Sequence, residues 1–414
     1  MREGLSVAEA QKIILEAAAP LGAETVPSAD GLGRALAEAV VSGRTLPPED
    51  NSAMDGYAVR AADLATPPVA LPVVYEVPAG VHAPRPLERG EAARILTGAP
   101  LPPGADAVVR QEDTEREGAT VRFVISPEPG AHIRRAGEDV ERGAAVLDAG
   151  TCLGPAHLGM LASLGRTSVA VHRRPRVALL SGGNELVEPD GDITGGRIVS
   201  SNSYTLAAAC REIGADPSYL GIARDEPADI ERRLRAGLNC DALVSSAGVS
   251  VGDHDHVRSV LESLGCRLVF WGVKMKPGYP FVFGRFEGKP GPLVFGLPGN
   301  PVSAMVTFEE LVRPALLAMA GHRALHRPRI VATLGETLTK KAGRLHFVRV
   351  RLERQGHEVV ARTAGNQSSG VLRSMTQAQG LLIFPAEATR IGEGEPAQVQ
   401  VIDPTFLASA GSGV

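Results

Sequence analysis

Four short stretches of this chain gather glycine, hydroxyl and carboxylate side chains: Ser181-Gly182-Gly183-Asn184-Glu185; Arg224-Asp225-Glu226; Ser245-Ser246-Ala247-Gly248-Val249-Ser250 running into Gly252-Asp253-His254-Asp255; and GLPGNPVS, residues 296–303. Each follows an apolar run that reads as a strand. Backbone N–H groups in such turns can approach an anion closely, and a following helix start adds its positive end. Glu185, Asp225 and Asp255 would repel a bare phosphate. Beside a hard cation such as Mg²⁺, which takes few carboxylates plus substrate oxygens, they make sense. The chemistry implied is binding of a phosphorylated small molecule with a divalent metal. One SGG or PGNP alone is ordinarily a turn or a cap; recurrence at four successive strand ends points to a ligand.

Other groupings weigh less. LPPEDNSAMDGYAVR, residues 46–60, crowds Glu49, Asp50, Asn51 and Asp55 into a stretch with neither helical nor strand periodicity. By itself it reads as a proline-rich turn whose Asn and Asp cap local backbone. His322 and His326 share i, i+4 spacing, but their basic linker offers no acidic or thiol ligand, so a solvated helix end is the plainer reading. His254 and His256 flank Asp255 and read first as helix-start residues. Neither a Walker A nor a GxGxxG pattern occurs.

The elements that must position these loops follow from the apolar pattern. RVALLS, SYLGIA, DALVSSAG, RLVFWGVKM, FVFGRF and PLVFGLPG alternate with helical stretches at 202–213, with Asn202 as N-cap, at PADIERRLRAGL and at DHVRSVLESLG, and one long helix runs from Pro301 to about Met319. That alternation predicts a doubly wound α/β domain over 176–325. Before it, a first helix opens with the capping-box pair Ser6 and Glu9. Residues 1–56 with 140–175 form a domain of that helix and extended pieces, and 57–139 a β-rich domain of short Gly- and Pro-bounded strands. Past GHRALHRPR, residues 326–414 predict a small β-barrel-like domain.

Composition bounds the rest. The chain has 414 residues with net charge −4, which argues against nucleic acid as partner. Four scattered cysteines with no CxxC fit reduced thiols. Without a signal-peptide pattern or a long apolar stretch, the expectation is a cytoplasmic protein with no membrane partner.

Taken together, DNSAMDGYAVR, RILTGAPLPPGADAVV, RRAGEDV, SGGNEL, SSAGVSVGDHD, KMKPGYPFVFG and GLPGNPVSA resemble the MoeA family of molybdopterin molybdenumtransferases, related to the E domain of gephyrin. The match is collinear along essentially the whole chain. The resemblance implies insertion of molybdenum from molybdate into adenylylated molybdopterin, with Mg²⁺-dependent cleavage of the phosphoanhydride and release of AMP. It also implies an elongated homodimer whose active cleft takes residues from the partner's N-terminal region, with molybdopterin adenylyltransferase and cofactor-accepting apoenzymes as further partners. Matching functional positions are Asp55, Thr97 and Asp139 in the N-terminal half, and Glu185, Asp225 and Asp255 as acidic, metal-holding positions of the α/β domain. Lys276, Ser303, Arg349 and Ser369 match the molybdate pocket. Pro298 and Pro301 shape the last loop, and Ser181, Gly182, Gly183, Ser245, Ser246, Gly248, Gly299 and Asn300 belong to the binding loops.

Two departures stand out. Where the family has KPGKP, this chain has Lys276-Pro277-Gly278-Tyr279-Pro280, so a cation becomes a phenol, and a lysine restored at 279 is expected to lower the molybdate requirement. The usual SSGGVS has Ala247 at its third position. Alternatives are an adenylyltransferase, which shares the α/β domain but needs neither the flanking β domains nor DNSAMDGYAV, and a non-catalytic gephyrin-like scaffold or a paralogue of altered oxyanion preference. Asp55, Glu185, Asp255, Lys276 and Arg349 together favour catalysis.

Overall fold

A computed structural model of the chain describes residues 2–246, 256–287 and 291–408. It divides into two compact units: Met1–Ala37, Gly150–Pro155 and Ser168–Val414 in one, Glu38–Ala149 and Ala156–Thr167 in the other.

The first unit is built on a seven-stranded sheet. Its strands are β1 (Arg2–Leu5), β2 (Arg176–Gly182), β3 (Asp216–Ala223), β4 (Ala242–Ser246), β5 (Cys266–Val273), β6 (Val282–Phe286) and β7 (Leu293–Leu297). They lie in the order β1-β5-β6-β7-β4-β2-β3, and all neighbours are parallel except those of β6. The unbroken apolar run in β2 has a simple cause. Val177 and Leu179 enter one core with helix Ser201–Glu212, while Ala178 and Leu180 enter another with helices Pro227–Gly237 and His256–Ser263. Both faces are covered, so Val177 to Leu180 are apolar without alternation.

Helix Val7–Ala17 starts as its sequence dictates: Ser6 Oγ accepts from Glu9 N, and Glu9 Oε2 accepts from Ser6 N at 2.8 Å. Val7, Ala10 and Ile14 form its buried stripe. Two expectations are corrected. Helix Ser201–Glu212 has Ser200, not Asn202, at its N-cap position; Asn202 lies inside the first turn, and its Nδ2 donates to the Gly299 carbonyl. The helix from Pro301 is not uniform: its α-helical parts Pro301–Thr307 and Arg313–Met319 flank a π-helical turn, Phe308–Val312. Pro314 supplies the reason. It has no N–H for the Glu310 carbonyl, and its ring would strike that carbonyl in a regular α-helix. The freed carbonyl accepts Gln11 Nε2 at 2.9 Å.

The same unit ends in a small barrel. Strands Leu345–Gln355, Glu358–Thr363, Arg329–Leu334, Pro396–Val401 and Gly380–Phe384 pair in that order, and the last closes on the first. Ala332, Val350, Leu382 and Val399 belong to its core. RLVFWGVKM does not stay one strand. After Val273 the chain leaves the large sheet, and Met275–Lys276 pairs in parallel with Leu345–His346 of the barrel.

The second unit carries a six-stranded sheet in the order Ala107–Arg110, Gly56–Val59, Ala92–Ile95, Val69–Val77, Thr120–Phe123, Thr114–Glu117. Gly56 is required at its place: a Cβ would lie 2.0 Å from the Val109 carbonyl oxygen on the neighbouring strand.

Candidate functional site

Two pockets of the first unit are linked through the segment 368–370. One, of about 560 Å³, is lined by Gly182, Glu185, Leu186, Ile198, Val199, Ser200, Ser201, Asn202, Ser246, Gly299, Asn300, Pro301 and Gly370. These residues lie past the carboxyl ends of β2, β4 and β7, where open α/β sheets bind ligands. Its floor is a buried hydroxyl cluster: Ser200 Oγ lies 3.0 Å from Ser181 Oγ and 3.2 Å from Ser203 Oγ. Ser181, Ser200, Ser203, Ser245 and Ser246 are all buried. These buried hydroxyls satisfy one another. Leu186–Val187 pairs with Ile198–Val199 above this floor.

The second pocket, of about 590 Å³, is basic. Lys276, Lys340, Lys341, Arg344, His346 and Arg349 line it, with Pro277, Thr363, Gln367 and Phe384. Arg349 is 2 % exposed. Its Nε donates to Ser374 Oγ at 3.3 Å, and Nη2 donates to the carbonyls of Asn366 and Ser368 at 3.4 and 3.3 Å. Among the described residues no carboxylate pairs with it, and burial pushes its pKa down to about 10. A buried cation without a counter-ion is costly, and a bound anion removes that cost. Burial, with Lys276, Lys340 and Arg344 nearby, pushes His346 down to about 4. Its imidazole is therefore neutral at pH 7, as expected where positive potential is high.

The segment 368–370 separates the pockets. The Ser368 carbonyl accepts from Arg349; Asn300 Nδ2 donates to Ser369 Oγ at 3.1 Å; Val302 N donates to the Ser369 carbonyl at 3.1 Å; Gly370 lines the first pocket. Ser303 sits buried in the first turn of helix Pro301–Thr307, and Pro298 is buried beneath the loop.

The structure brings some expected residues together and not others. Glu185 lines the first pocket, and Asp225 is tied to the adjoining residue, accepting from Asn184 N at 3.3 Å and donating its own N–H to Asn184 Oδ1 at 3.1 Å. Gly248 and Asp255 lie outside the described residues, and among those residues no cluster of three or more potential metal ligands forms. Tyr279 does not line the basic pocket. Sequence reasoning passed over Ser200, Asn202, Lys340, Lys341, Arg344, His346 and Gln367. Lys340-Lys341-Ala342-Gly343-Arg344 directly before Arg349 was an available signal, for a cation run beside a strand gathers on one pocket wall once that strand is in a barrel. His322 is half-buried. Burial lowers its pKa, and Arg313 lowers it further, so it is not a solvated helix end.

In the second unit, the stretch around Asn51 is stitched on both sides. Asn51–Ser52 pairs with Ile133–Arg134, Ser52 N donates to the Ala99 carbonyl, and Asp50 accepts from Ala136 N at 2.9 Å and from Arg135 at 2.6 Å. Asp55 Oδ1 accepts from both Thr97 N at 2.7 Å and Thr97 Oγ1 at 2.8 Å; these bonds hold the exposed carboxyl below its usual range. Asp139 is exposed, and its N–H donates to the Leu46 carbonyl at 3.1 Å.

Residues 5–165 match the MoeA N-terminal region (domain I and II), 178–318 a probable molybdopterin binding domain, and 331–402 the MoeA C-terminal region (domain IV). The chain is 40% identical over 410 residues to the Mycobacterium tuberculosis protein named molybdopterin molybdenumtransferase 2, covering 97% of this chain and 100% of that one. It is 39% identical over 380 residues to the molybdopterin molybdenumtransferase of a Nostoc species, covering 89% and 86%. The crystal structure of the molybdopterin biosynthesis moeA protein from Pyrococcus horikoshii OT3 superposes with a TM-score of 0.84 at 32% identity, over 96% of this chain and 100% of that one. With strand-end loops, an unpaired buried arginine and a closed barrel in the same collinear order, the chain belongs to the MoeA family of molybdopterin molybdenumtransferases, transferases of molybdenum cofactor biosynthesis.

Proposed function

We propose that this protein inserts molybdenum from molybdate into adenylylated molybdopterin, cleaving the phosphoanhydride and releasing AMP. The observation that carries the reading is Arg349: a buried guanidinium with no carboxylate partner, in a basic pocket one segment away from a glycine-and-serine cleft. A tetrahedral dianion fits such fixed donors. On this reading Lys276 and Arg349 hold molybdate, with Ser303 and Ser369 at the adjoining wall. The loops at Gly182-Gly183 and Gly299-Asn300-Pro301 border the pterin phosphate, with Gly299 and Asn300 offering backbone N–H groups at the start of helix Pro301–Thr307.

Glu185 and Asp225 offer hard oxygen donors on adjoining loops, which suits Mg²⁺, an ion that keeps substrate oxygens and water in its shell. When bound, it neutralises charge on the anhydride oxygens. Asp255 is the third acidic residue of this proposal. The chain's own contribution is to fix the two substrates in line and to offset developing charge.

The proposal includes a homodimer in which Asp55 of one copy closes the cleft of the other. The exposed carboxylate, pinned by Thr97 on a doubly stitched loop, supports it. Handover from an adenylyltransferase and delivery to apoenzymes in the cytoplasm complete the reading. No helix of the described residues is long and apolar enough to cross a membrane.

The test supplies purified protein with adenylylated molybdopterin, Mg²⁺ and molybdate and follows AMP and cofactor. Molybdate-dependent AMP release supports the proposal. No AMP, together with adenylylation of molybdopterin from ATP, would make the protein an adenylyltransferase instead.

A further inference from the structure

The residue that departs most visibly from the family pattern has a place of its own. The chain leaves the basic pocket at Pro277, and Gly278, with φ +108°, presses against the next helix: a Cβ there would lie 2.4 Å from Thr307 Cγ2. Residue 279 is thereby carried past the pocket lining. The Tyr279 ring packs edge-on against Trp271, centroids 5.5 Å apart, and lies over Gly272. Its face carries a cation, with Arg344 Cζ 4.4 Å from the ring centroid.

Arg344 lines the basic pocket beside Lys276, Lys340 and Arg349. No carboxylate pairs with it among the described residues, so its charge is not spent internally. It directly precedes the strand paired with Met275–Lys276, where Leu345 N donates to the Lys274 carbonyl at 3.0 Å. Its backbone is thus fixed, and the tyrosine face is what fixes its side chain. An aromatic face orients a guanidinium plane and restricts its rotamers, and an oriented guanidinium grips a tetrahedral oxyanion through two N–H donors.

We propose that Tyr279 is a positioning residue whose ring holds Arg344 in the pocket wall as a ligand for the oxyanion substrate. Resting on the oxyanion reading of that pocket, the inference explains how a phenol replaces a lysine: a loose point charge gives way to a directed one. A lysine at 279 would face Arg344 with like charge and remove its support.

The experiment measures the molybdate concentration giving half-maximal AMP release, and molybdate binding by calorimetry, in the full-length protein. Tyr279→Phe keeps the ring and should behave as the unaltered protein. Tyr279→Leu should raise the half-saturating concentration roughly five-fold, the size of a half-exposed cation–π contact, with little change in kcat. Tyr279→Lys should raise it as well. In an Arg344→Gln background, Tyr279→Leu should add nothing, which a mere packing defect would not produce. The inference is overturned if Phe is as harmful as Leu, if Lys lowers the requirement, or if the Leu effect persists without Arg344. If the unaltered protein neither binds molybdate nor responds to it, the oxyanion reading itself falls, and this inference with it.

Discussion

Replacing Arg349 by methionine should make the protein more stable without its substrate and less stable with it. Burial takes the guanidinium pKa from 12.5 to about 10. At about 1.4 kcal/mol per unit, that places the cost of the buried charge near 3 kcal/mol. The group is a base whose folded pKa is depressed, so the folded state binds its proton less readily than the unfolded chain. The cost is therefore fully present at neutral pH and fades only as pH rises through 10. Opposing it are three hydrogen bonds of 3.3 to 3.4 Å, worth about 0.5 kcal/mol each at such lengths. Methionine has similar volume and no charge, so Arg349→Met should gain about 1–2 kcal/mol in anion-free buffer. Molybdate at a hundredfold excess over its Kd should add about 2.7 kcal/mol to the unaltered protein and nothing to the variant, inverting their order. Trp271, the sole tryptophan, lies in β5 and reports on the first unit alone. Its fluorescence during urea unfolding, with and without molybdate, is the assay. A variant less stable than the parent in anion-free buffer, or one that keeps the molybdate shift, would refute the reasoning.

Three other outcomes are expected. Burial raises the carboxyl pKa of Glu310 from 4.5 to about 7, and Gln400 Nε2 donates to it at 2.8 Å. This is an acid with a raised folded pKa, so its penalty is absent below 4.5, grows as pH rises and is complete above 7. Glu310→Gln should accordingly stabilise the first unit by about 3 kcal/mol at pH 8 and by under about 1 kcal/mol at pH 5, read by the same fluorescence. Gly56→Ala should disrupt the second unit, since its Cβ would overlap the Val109 carbonyl; accelerated proteolysis confined to residues 38–149 is the readout, and native resistance would contradict the stated contact. Asp55→Asn should fold and sediment as the parent does, yet lose molybdate-dependent AMP release, and full activity would return that loop to a structural turn.

Features dictated locally were readable from sequence. β2 could be recognised because burial on both faces erases alternation, and the first helix because Ser6 and Glu9 bond across three residues. The Gly-Ser turns at 181–185 and 296–303 were visible for a similar reason: in doubly wound sheets they fall together at one edge. What stayed hidden depends on distant partners. The helix begins one residue before Asn202, whose amide donates to the Gly299 carbonyl about a hundred positions away, a bond the local pattern does not show. The π-helical turn needed both Pro314 and a donor, Gln11, to accept its loose carbonyl. Lys340, Lys341 and Arg344 were passed over, because it is the barrel that gathers them around one pocket with Arg349. The segment around Asn51 carried acids that proved largely to be backbone acceptors, which composition alone does not distinguish from ligands.

The two-residue strand Met275–Lys276 has a consequence for how such a protein changes over generations. The barrel closes without it, so those two residues are a graft from one fold onto another. The register Met275 to Leu345 and Lys276 to His346 alone sets how far Lys276 stands from Arg349 along the neighbouring strand. Neither fold owns the pocket. A recombination event that exchanged barrels between relatives would keep it only if the crossover preserved that register. A slip by a single residue would turn alternate side chains to the other face and scatter the cations, though each part still folded. Charge at this pocket is therefore inherited as a pairing between domains, and descent should hold the two segments together as one unit.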